Sequence, residues 1–193
     1  MSKETPKKPM TIEDHIIQQI KKEGEIAEVY QEQCKTMIDR IVTVFLGENA
    51  FPIQSNYKDI DISEISESEN PDKSVVIQEY YSKVAQELGA SILVRKFNLM
   101  VEKITNENTQ QNLTYDAIYL LAIEKTFPEN ISQNISTALE NFLEDLRSTD
   151  EAIIALLDPK QLKTQYEGFV LEAGAKIFEQ KFLEEFAKTK IEK

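Results

Sequence analysis

The sequence predicts an all-α protein: a compact bundle of six or seven helices around a central apolar helix at about 75–104, with an acidic loop at about 47–73. Bulky apolar residues recur three and four apart through most of the 193 residues, the spacing of one side of a helix. Only five glycines and six prolines punctuate the chain, too few for the turns of a many-stranded sheet. With 41% hydrophobic and 29% charged residues, the chain can bury one sizeable core. A single helical domain over 11–193 is therefore expected behind a flexible basic tail at 1–10.

The tail carries Lys3, Lys7 and Lys8 with Pro6 and Pro9 and has no apolar stretch, unlike a signal peptide. Thr11 and Asp14 make a capping-box-like start with Met10 as the staple, and Gly47 is placed to stop the helix after Leu46. Ile20, Ala27, Cys34 and Ile41 fall seven apart, and Ile16, Tyr30, Met37 and Val44 form a second seam. Glu23 breaks that seam, and Gly24 beside it is an expected bend. Such a seam could pair two copies as a homodimeric coiled coil, but its shortness favours packing within its own domain.

Residues 47–73 hold Pro52, Pro71 and a Ser/Asp/Glu-rich stretch, the composition of a solvated loop that Ile60, Ile62 and Ile65 could anchor. Asn70 and Pro71 suit the start of the central helix. There Val76, Ile77, Tyr80, Tyr81, Val84 and Leu88 share one side. After Gly89 the face shifts to Ile92, Leu93, Phe97, Met100, Val101 and Ile104. Ala90 to Val94 is apolar nearly all round, which predicts a helix surrounded by neighbours.

A further helix is expected over Leu113–Phe127, stopped by Pro128. The next, capped at Asn130 or Ser132, has the stripe Ile131, Ile135, Leu139, Phe142 and Leu146. A short helix is expected from Ser148 or Thr149 to Leu157. Asp158, Pro159 and Gln161 then form a cap, a first-turn proline and a capping-box partner. The last helix should run towards Ala187, burying Leu162, Tyr166, Phe169, Ala173, Ile177, Phe182 and Phe186. Ala173, Gly174 and Ala175 are small enough for another helix to approach closely.

Thirty-four acidic residues against 22 basic ones give a net charge of −12, which repels nucleic-acid backbones and anionic membranes. Apolar runs such as Ala117–Ile123 are too short to span a bilayer. Cys34, alone, cannot form an internal disulfide and is expected to be a buried small hydrophobe in a reducing cytoplasm. A single histidine, His15, gives no material for a catalytic triad, a histidine-rich zinc site or a di-iron helix pair. Asp59, Asp61 and Ser63 begin a calcium-loop pattern that fails at Glu64, where glycine is needed, and at Asn70, where glutamate is needed. Phosphate-cradling glycine motifs are absent. No catalytic, cofactor-binding or metal-ligating residue is assigned, and no cofactor is expected.

The expected function is therefore protein–protein interaction: a regulatory module, acting as adaptor, inhibitor or subunit, in the cytoplasm. The partner would meet an interhelical groove or the acidic loop, with Asp59, Asp61, Glu64, Glu67 and Glu69 as candidate contacts. Tyr80 and Tyr81 are also candidates; adjacent on a helix, they point about a hundred degrees apart, one into the core and one to its rim. The alternative is a carboxylate-based enzyme in an interhelical pocket. Glu184, Glu185, Ile191 and Glu192 near the end of the chain resemble the glutamate-rich C-terminal signal of proteins exported by bacterial type IV secretion. That resemblance implies a secreted effector without a cleavable signal.

Overall fold

Apolar residues at helical spacing, separated by short polar punctuation, form five helices in the computed structural model, which describes residues 12–46, 73–108, 112–128, 132–148 and 158–191. They are α1 (Ile12–Leu46), α2 (Lys73–Glu107), α3 (Tyr115–Thr126), α4 (Ser132–Ser148) and α5 (Pro159–Ile191). No strand occurs among the described residues, and the helices pack as a bundle. The expected tail, the acidic segment 47–72 and the short helix at 149–157 lie outside the described residues, as do the side chains of His15, Ile16, Ile20 and Ala27. Lys73, assigned to the loop from sequence, opens α2.

The axis of the bundle is the pair α2 and α5, of 35 and 33 residues, each about 50 Å long. They run antiparallel and cross near their midpoints, at Gly89 and Gly174. A β-carbon on Gly89 would lie 2.4 Å from the Gly174 carbonyl oxygen, and one on Gly174 would lie 2.7 Å from that of Gly89. Backbone meets backbone, with Phe178 and Leu93 closing the contact on either side. The small run at 173–175 thus does what its size predicts, and the face shift at Gly89 marks the other half of the crossing.

Around that crossing Ile77, Tyr81, Ala85, Leu93 and Phe97 of α2 meet Tyr166, Val170, Phe178, Phe182 and Phe186 of α5 in the buried core. The prediction that α2 is surrounded fails along one strip. Lys83, Glu87, Ser91, Arg95 and Leu99 form an exposed strip, because α1, α3 and α5 together cover less than its circumference.

In α1 the buried residues are Gln31, Cys34, Met37, Ile38, Ile41 and Phe45; Cys34 and Ile41 of the first expected seam are buried seven apart, as are Gln31, Ile38 and Phe45. Val44, expected in the second seam, is 63% exposed. The described stripe is occupied within the bundle: the Phe45 and Phe178 rings are 4.8 Å apart, and Tyr30 lies 6.5 Å from Phe186. The helix passes Gly24 without a break. Its last turn has no basic residue of its own, and Lys96 Nζ of α2 donates to the Phe45 carbonyl at 3.1 Å, capping the helix from outside. Burial lowers the Lys96 pKa from its usual value.

The shorter helices are set by local capping. Asn108 and Leu113 exchange two hydrogen bonds, of 3.1 and 3.4 Å, that hold the end of α2 beside the start of α3. The Thr114 hydroxyl accepts from the Ala117 amide at 3.3 Å. Asp158 Oδ1 accepts from the amides of Lys160 and Gln161 at 2.7 and 3.0 Å, the cap that starts α5. The helical tail at Phe182–Ile191 is part of the fold: Phe182 and Phe186 are buried, while Glu184 and Glu185 pair with Lys181 and Lys188 on the surface.

Candidate partner groove

A concavity among the described residues lies between α4 and α5. Its α4 wall is Ala138, Asn141, Phe142 and Asp145; its α5 wall is Gln165, Gly168, Phe169, Glu172, Ala173 and Lys176. Both sets recur three and four apart, so each wall is one side of one helix. The space is about 520 Å³, open to solvent on one side.

Phe142 and Phe169 make the floor, half-buried, with ring centroids 5.1 Å apart. Ala138, Gly168 and Ala173 keep the walls low. A β-carbon on Gly168 would meet nothing within 4 Å. The rim is polar: Asn141, Asp145, Gln165, Glu172 and Lys176 are exposed, and Lys176 Nζ holds Glu172 Oε1 at 2.6 Å.

The floor is supported from behind. Phe142 meets the ring of Tyr166 edge-on at 5.6 Å, Tyr166 lies 5.5 Å from Tyr119, and Tyr119 lies 6.4 Å from Phe97. Tyr166 is fully buried and donates its hydroxyl to Asp116 Oδ1. Tyr119 donates to the Pro159 carbonyl at 2.8 Å. Burial, then the Asp116 bond, push the Tyr166 phenol well above its ordinary pKa. Burial also raises that of Tyr119, with smaller contributions from Tyr115, Glu167 and Asp158. Both phenols are therefore neutral anchors at physiological pH, and they tie α3 to the start of α5 beneath the groove.

The residues singled out from sequence fall elsewhere. Tyr81 is 0% exposed and donates to Gln31 Oε1 at 3.4 Å, which removes it from any partner surface. Tyr80 is half-buried and meets Tyr81 edge-on at 5.2 Å, the rim position expected of one member of the pair. Asp59, Asp61, Glu64, Glu67 and Glu69 lie outside the described residues. Cys34 is fully buried, and burial pushes its thiol up to about 12, far from a reactive thiolate.

Sequence reasoning counted Phe142 and Phe169 as core and did not find the groove. The available signal was Gly168, a glycine inside a helix with no turn to make. A second hollow, of about 550 Å³, is lined among the described residues by α1 alone, from Glu28 to Arg40.

Among the described residues no group of three or more His, Cys, Asp or Glu could hold a metal ion. No described helix is long and apolar enough to cross a membrane. The chain matches no protein-family model, no curated protein and no solved structure.

Proposed function

We propose that this protein is a non-enzymatic interaction module, an adaptor, inhibitor or regulatory subunit, whose α4–α5 groove receives an amphipathic helix from a partner protein. One observation carries the reading: an aromatic floor, Phe142 and Phe169, lies between two helical walls with a polar rim. An apolar centre ringed by polar groups is the anatomy of helix-in-groove recognition. From Ala138 to Asp145 the wall runs about 10 Å, enough for apolar residues at i, i+3, i+4 and i+7 of a guest helix. A second copy as guest is disfavoured by its own −12 charge.

Tyr80, and separately Asp59, Asp61, Glu64, Glu67 and Glu69 of the acidic segment, remain further candidate contacts in this reading. The carboxylate-enzyme alternative finds Asp145 and Glu172 in the groove, with Glu172 already engaged by Lys176. The cytoplasm is the proposed compartment, and export as a bacterial effector is the alternative that the C-terminal resemblance implies.

Selection from a displayed library of amphipathic helices tests the reading. Helices retained by the wild type should be lost by Gly168→Leu, which adds a bulky side chain to the open wall at a position where a β-carbon meets nothing within 4 Å. If none is selected, or if the variant retains them equally, the groove is not the docking surface.

A further inference from the structure

We draw no further inference here: the strongest candidate, the hollow along α1 from Glu28 to Arg40 that the exposed side chain of Val29 lines, is an unpartnered face of one helix, and nothing among the described residues shows what covers it.

Discussion

Two glycines six residues apart on α5 have opposite surroundings. Gly174 sits where α5 crosses α2, and a β-carbon there would lie 2.7 Å from the backbone oxygen of Gly89. Gly168 sits on the groove wall, where a β-carbon would touch nothing within 4 Å. At the crossing, glycine is required because two backbones are in contact and neither can yield locally. At the groove no packing requires it, although in a helix interior it costs about 0.5–1 kcal/mol relative to alanine. The contrast separates a part of α5 that holds the bundle together from a part that is left open.

The largest expected effect is at the crossing. Gly89→Ala and Gly174→Ala should each destabilise by about 2–3 kcal/mol, because the added carbon must push whole helices apart. Urea midpoints measured by circular dichroism check this, and a loss below about 0.5 kcal/mol would mean the helices are not in contact there. Alkaline titration probes the same closed region. The Cys34 thiol, at 9.0 when exposed and about 12 in the fold, keeps its proton natively while the unfolded chain loses it. The unfolded state then binds fewer protons, so stability should fall above pH 9 by up to about 1.4 kcal/mol per pH unit. Tyr166 and Tyr119, raised above 10.0, add to the loss at higher pH, whereas Lys96, lowered from 10.5, opposes it. Cys34→Ala should flatten the profile between pH 9 and 10, and an unchanged slope would show the thiol to be accessible.

The open side should respond weakly and with the opposite sign. Gly168→Ala should stabilise by about 0.5–1 kcal/mol, seen as a higher melting temperature. A loss instead would mean that the wall is packed. The smallest effect is expected from Lys176→Ala. Its exposed i,i+4 pair with Glu172 contributes about 0.3–0.5 kcal/mol, and high salt should erase the difference from wild type.

Much of the helical layout was legible because local chemistry specifies it. The Asp158–Pro159–Gln161 start is realised as the cap of α5, and the stop after Leu46 agrees with the end of α1. Burial was less legible. Ala85, Val170 and Phe178 are fully buried without belonging to the stripes read from sequence, and Val44 left its seam. A helical pattern identifies an apolar side to within a residue or two, but which members reach the core depends on where neighbouring helices cross. The groove was hidden for the same reason: Phe142 and Phe169 have the spacing of core residues whether a third helix covers them or not.

By itself the amino-acid order determined that this chain is helical, acidic and apolar along particular stripes, because spacing, capping and charge are local properties. The tertiary structure alone decided that Gly89 faces Gly174, that Tyr81 is sealed and that Phe142 and Phe169 line an open groove. Those outcomes depend on which stripe meets which, and contact between distant segments is not encoded in the period of either one.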